Sequence, residues 1–173
     1  MSLLYTVDRL GTLKPGMVIQ LQQHRDISPQ YLQDHVDSLF PDGVSSHGER
    51  YFLQAGSKGN IASPAIELLF EYIRKTSFSN KPSRFESFFA CESIDDAKSF
   101  RSQFGSHEQK IFEIQSDGPK HKCNMKLLHN DLSNLYFSYA AHQYWLGNQG
   151  ISELGEFWEI ILSLPVKVGD VVQ

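Results

Sequence analysis

The sequence predicts a single α+β domain over residues 1–173, with a mixed or antiparallel sheet and about four helices. Three observations carry that expectation. Short runs of two-residue alternation recur along the chain, which is the period of a half-buried strand. Between them lie longer runs with apolar residues at helical spacing, two of them opening on Ser-Pro (Ser28-Pro29 and Ser63-Pro64). Strands and helices interleave irregularly, without the steady βα alternation of a doubly wound sheet. An aromatic content of 12%, with 12 Phe and 7 Tyr, suits a fold rich in sheet and flat contact surfaces.

Leu3 to Arg9 predicts a first strand, with Leu3, Tyr5 and Val7 on one face and Leu4, Thr6 and Asp8 on the other. Lys14-Pro15-Gly16 is a turn, and Met17 to Leu21 a second short strand. Ser28 caps the first helix, whose apolar side is Tyr31, Leu32, Val36, Leu39 and Phe40 before Pro41 stops it. Residues 42–48 predict a solvated loop, although its His47, like the neighbouring Glu49, is a type that serves chemistry. Ser63-Pro64 starts a second helix with Ile66, Leu69, Phe70 and Ile73 inward and Arg74 and Lys75 in its last turn.

Arg84 to Gly105 predicts a strand, a tight turn and a capped helix. Phe85, Ser87 and Phe89 alternate with Glu86, Phe88 and Ala90, and Ser93 stands three residues ahead of Asp96 as in a capping box. Ala97, Phe100 and Phe104 follow at helical spacing, and Gly105 is placed for a left-handed cap. Two strands come next, at Ile111 to Gln115 and around Cys123, Met125 and Leu127, with Asp117-Gly118-Pro119 turning between them. The fourth helix runs from about Asp131 to Leu146, with Leu132, Leu135, Tyr136, Tyr139, Gln143 and Leu146 inward. Phe157 to Leu164 and Val166 to Val172 close the chain as two strands either side of Pro165.

The net charge of −4, from 20 acidic and 16 basic side chains, argues against a general nucleic-acid binder, since such binding is driven by phosphate neutralisation. MSLLYTVDR has neither a basic nor an apolar leader region, and no apolar run approaches the roughly 20 residues of a membrane span. A cytoplasmic protein is expected, and its two cysteines, Cys91 and Cys123, suit a reducing compartment. The seven histidines form no HExxH or CxxC-linked pattern, so no metal is expected. GxSxG, GxGxxG and GxxxxGK[ST] are missing as well.

Two stretches point to chemistry. Ser87 sits between phenylalanines with Arg84, Glu86 and Glu92 crowding it, which fits an edge strand with a wet face or the wall of a site for a flat ring. Glu159 interrupts FWEIILSL, a run otherwise fit for burial, on the face of Phe157, Ile161 and Ser163. A carboxylate there needs a partner, either Arg84 or Arg101 in a structural ion pair, or a ligand in a cleft.

Taken in order, LLYTVDR, RFESFFACESIDDAKSF and EFWEIILSLPVKV resemble the three-motif pattern of the ADP-ribosyltransferase-like superfamily, and the whole chain resembles a small uncharacterised bacterial family placed near those enzymes. The resemblance implies a split sheet around a cleft and NAD as substrate. It assigns Arg9 to the NAD phosphates or ribose, Ser87 to the nicotinamide-side ribose, and Phe88 or Phe89 to the nicotinamide ring. Glu159 is then the catalytic glutamate that stabilises an oxocarbenium-like ribosyl cation, as carboxylates do in glycoside hydrolysis. The chain departs from the pattern at three points. It lacks a Ser-Thr-Ser run, it carries Thr6 where other branches have a first-strand histidine, and it has Phe157 where a second polar residue would precede Glu159. That last departure keeps a catalytically silent NAD-binding or protein-interaction module of the same fold in play. The acceptor of ADP-ribose is not implied.

Overall fold

The computed structural model describes residues 3–54, 63–129 and 131–173. It is an α+β domain whose strands form two antiparallel sheets. Four strands make the first, in the order β1 (Leu4–Val7), β4 (Ile111–Gln115), β7 (Val166–Val171) and β2 (Val18–Ile19). Three make the second, in the order β3 (Ser87–Ala90), β6 (Trp158–Ser163) and β5 (Lys120–Asn124). The sheets meet where Tyr5 of β1 exchanges both backbone hydrogen bonds with Cys91, just past β3, at 3.0 and 2.6 Å. Thr6 adds to this seam by donating its hydroxyl to the Phe89 carbonyl at 3.1 Å.

From β2 to β5, and again from β6 to β7, each strand passes the chain to the other sheet. β6 and β7 are separated by the corner at Pro165, whose missing N–H cannot continue a ladder. The Asp117-Gly118-Pro119 turn likewise carries the chain from the first sheet to the second, because β5 pairs with β6 and not with β4. One apolar core lies between the sheets around Leu4, Phe112, Ile114, Ile160, Leu162 and Val168. A second lies on the far side of the three-stranded sheet, where α3 (Pro64–Ser77) and α5 (Asn134–Leu146) cover it with Phe70, Tyr144 and Trp145. The remaining helices of two turns or more are α1 (Gln30–Leu39) and α4 (Ile94–Phe104).

Element positions follow the sequence closely; helix faces follow it in part, with Val36, Ile66, Phe70 and Ala97 inward as expected. In α5 the inward residues are Ala140, Ala141, Tyr144 and Trp145, while Leu135, Tyr136, Tyr139 and Leu146 face outward. The helix is apolar around most of its circumference, and the small alanines let it approach α3 more closely than a leucine face would. It begins at Asn134, capped by Ser133, and ends on Gly147 at φ 77°, the left-handed position glycine takes without strain. In α3, Leu69 is exposed while Glu67, Glu71 and Arg74 are buried, because ion pairs are available to those side chains within the fold.

Smaller differences are local. Ser28 does not cap α1, whose first turn starts after Pro29 without a side-chain cap, and Tyr31 and Leu32 are exposed. Phe85 leaves the β3 alternation for a single 3₁₀ turn, Arg84–Glu86, and is fully buried against Phe40 and Val44. Met125 and Leu127 lie in a 3₁₀ turn after β5. Ser93 caps α4 by accepting from the Asp96 N–H at 3.1 Å, but Gly105 ends it in an extended conformation.

Candidate functional site

A cavity of about 370 Å³ opens where the seam between the sheets meets α2 (Ser46–Gly48) and the N-terminal half of α3. Its wall includes Arg9 from the end of β1, Ser87, Phe88 and Phe89 from β3, and Glu159 from β6. All five residues singled out in the sequence therefore border one space.

Their roles in it differ. Ser87, Phe89 and Glu159 share one face of the three-stranded sheet, since Ser87 pairs with Ser163 and Phe89 with Ile161 in register. Phe88 points to the opposite face and joins the core between the sheets. The Ser87 hydroxyl is buried and has no hydrogen-bond partner among the described residues. Arg9 is half-buried, with its guanidinium 6.0 Å from the Phe100 ring centroid. The neighbouring Asp8 does not pair with it; its carboxylate instead accepts from the Thr12 and Leu13 N–H groups at 3.1 and 3.0 Å.

Glu159 is held by two donors on one oxygen. Arg84 Nη1 donates to Oε1 at 2.6 Å and the Tyr144 hydroxyl donates to the same atom at 2.7 Å. Oε2 receives nothing from the described residues, although the side chain is only 12% exposed. Arg84 does not belong to Glu159 alone. Its Nε and Nη2 donate to Oε2 and Oε1 of Glu67 at 2.7 and 2.9 Å, a bidentate fork, and its Nη1 also donates to Tyr144. The guanidinium stands 4.7 Å over the Phe89 ring, a second favourable contact for its charge.

The electrostatics are those of a buried cluster in which one arginine serves two carboxylates and His47 stands beside one of them. Burial opposes the charge on Arg84, but Glu159 and Glu67 more than compensate and raise its pKa well above the usual value. Burial would also raise the Glu67 carboxyl, yet Arg84 and His47 beside it hold it far below the usual carboxylate range. The Tyr144 phenol is pushed up, chiefly by burial, which keeps it a neutral donor. Cys91 borders the same cavity, but burial followed by Asp96 and Glu159 pushes its thiol up to about 12, which favours the neutral thiol.

Three members of the site were not assigned to it from the sequence. His47 belongs to the short helix α2 rather than to a solvated loop, and Nε2 lies 3.2 Å from Glu67 Oε1. Its ring stacks on Tyr51 with centroids 4.4 Å apart and meets Phe89 at 4.6 Å. Ser45 pins this turn against Phe85 through its backbone N–H and its hydroxyl, and a Cβ on Gly48 would come 2.3 Å from the Phe85 carbonyl oxygen. Only glycine permits that approach. Glu67 was legible in principle, because it falls on the same helical face as Phe70 and Arg74. Tyr144 had no local signal. Among the described residues, no group of three or more His, Cys, Asp or Glu side chains is placed to hold a metal ion, and no helix is long and apolar enough to cross a membrane.

The model of a family described as "Protein of unknown function (DUF2441)" matches residues 4–173, so the chain belongs to that family. No curated protein matches it.

Proposed function

We propose that this chain is an ADP-ribosyltransferase-like enzyme that binds NAD in the cavity and cleaves its nicotinamide–ribose bond. The observation that carries the proposal is the convergence of Arg9, Ser87, Phe89 and Glu159, from three strands of two sheets, on one cavity where a carboxylate oxygen and a hydroxyl are without partners. A buried hydroxyl left unpaired is costly, and a ligand's hydroxyls would satisfy Ser87 and give Glu159 Oε2 a donor. The space falls within the roughly 300–1,000 Å³ of small-molecule pockets.

In this reading Arg9 holds the diphosphate and the Phe89 face packs on the nicotinamide. Ser87 and Glu159 Oε2 take ribose hydroxyls. The C–N bond breaks with its electron pair leaving on nicotinamide, and the positive charge that develops at the ribose carbon lies against Glu159. Arg84 and Tyr144 fix that carboxylate before reaction, so it need not reorganise as the charge forms. Water or another nucleophile then attacks the carbon and gives up its proton. A cytoplasmic location and a partner other than nucleic acid belong to the same proposal.

A second reading is an NAD-binding protein without turnover. Phe157 favours it, since this residue borders the cavity in an aromatic cluster with Phe100 and Phe104, at 6.0 and 5.8 Å, and puts no polar side chain at that position to direct an acceptor. The two readings separate by incubating the protein with NAD and following free nicotinamide by chromatography, with NAD affinity measured by calorimetry. Enzymatic function predicts release that falls by at least about 10²-fold in Glu159→Gln, with affinity changed less than tenfold. Binding without release supports the silent module. No binding at millimolar NAD rejects both.

A further inference from the structure

We infer that Glu67 is a positioning residue for Glu159: by occupying two of Arg84's N–H groups, it stops the guanidinium from closing on both Glu159 oxygens and so keeps Oε2 open to the ligand. This rests on the reading of Glu159 as the ligand-facing carboxylate.

The argument is one of competing forks. An Arg–carboxylate pair prefers two parallel hydrogen bonds. Glu159 gets only one from Arg84, through Nη1 at 2.6 Å, although the side chains are only 4% and 12% exposed. The reason is on the other side of the guanidinium. Glu67, fully buried on α3, takes the Nε–Nη2 edge at 2.7 and 2.9 Å and thereby sets the plane and rotation of the group. In that orientation Nη1 reaches one oxygen of Glu159 and the Tyr144 hydroxyl, and Oε2 is left without a donor. Without Glu67, two buried N–H groups would lack an acceptor, and Glu159 Oε2 belongs to a carboxylate that Arg84 already contacts. Arg84 would then clamp Glu159 and take the position intended for a ribose hydroxyl.

The test uses Glu67→Met, which keeps volume and removes the acceptor, with Glu67→Gln and the double variant Glu67→Met/Arg84→Lys beside it. A crystal structure of Glu67→Met is expected to show Arg84 bonded to both Glu159 oxygens. Nicotinamide release should fall by about 10²-fold in kcat for Glu67→Met. Glu67→Gln, whose amide oxygen still accepts one N–H, should fall less. The double variant, whose lysine keeps a cation beside Glu159 but has no fork to close on both oxygens, should recover at least tenfold over Glu67→Met. A merely structural role for Glu67 would give no such recovery. If Glu67→Met does not fold, Glu67→Asp, which keeps the charge but shortens its reach, is measured in the same way and should lose kcat and raise KM. Arg84 remaining on one oxygen in the variant crystal overturns the inference, as does full activity in Glu67→Met or a double variant no better than the single one. If the wild type neither binds NAD nor releases nicotinamide, the functional reading fails, while the arginine geometry in the variant crystal still decides this inference.

Discussion

Helix α3 carries two buried arginine–carboxylate clusters one turn apart, and they teach different things. Glu71 and Arg74 form a closed pair: Nε and Nη2 of Arg74 donate to Glu71 at 3.0 and 2.7 Å, and Nη1 donates to the Lys81 carbonyl at 2.9 Å. Charges balance, the fork is complete, and the pair pins the end of the helix to the following connection. The Glu67 cluster has the same ingredients but one carboxylate too many. Arg84 serves both Glu67 and Glu159, and an oxygen of Glu159 is left over at the wall of a cavity. A buried ion pair is thus weak evidence of a site; an unbalanced one bordering a cavity is much stronger.

The comparison can be broken most directly at the two arginines. Arg84→Met strips the partner from two buried carboxylates and is expected to cost about 3–5 kcal/mol, the range for breaking a buried pair. Arg74→Met strips only one and should cost less. Urea unfolding of the two variants measures the difference, and equal costs would mean that Arg84 is no more shared than Arg74.

Acid sharpens the same contrast. The Glu67 carboxyl is depressed in the folded state, so the stability it contributes is complete above its ordinary value of 4.5 and is lost as pH falls below that toward its folded value. Glu67→Gln should therefore flatten the loss of stability below about pH 4.5, read by denaturant melts across pH. A slope unchanged from wild type would show that Glu67 is not the group held down.

The smallest expected effect is on stability at Ser87. Its buried hydroxyl has no partner to lose, so Ser87→Ala should shift unfolding free energy by less than about 1 kcal/mol in either direction. NAD affinity should nevertheless weaken by roughly tenfold, the worth of one hydrogen bond to a ligand hydroxyl. Calorimetry and urea unfolding on the one variant check both halves.

Much of this arrangement could be read from the chain, and the failures have a common cause. Glu159 stood out because a carboxylate in an aliphatic run must be paired, and Arg84 was one of two partners considered. Ser87 stood out for the same reason of polarity in an apolar strand. His47 looked like a loop residue because a three-residue helix held by Ser45 and Gly48 against the Phe85 carbonyl leaves no periodic trace. Glu67 was hidden by a helix whose spacing allowed Leu69 inward, and the tyrosine at 144 by a helix apolar on nearly every side.

Period and punctuation fixed the strands and helices of this protein, because alternation, Ser-Pro starts and glycine stops act within a few residues and need no distant partner. The same local patterns marked Ser87 and Glu159 as polar groups requiring an explanation. Which helix faces turn inward, which carboxylate an arginine serves and which oxygen stays free were decided only when α2, α3, α5 and both sheets closed on one another. Those are choices between partners brought together from across the chain, as with Arg84 and Glu159, and a buried charge settles on whichever assembled partner best repays its lost water.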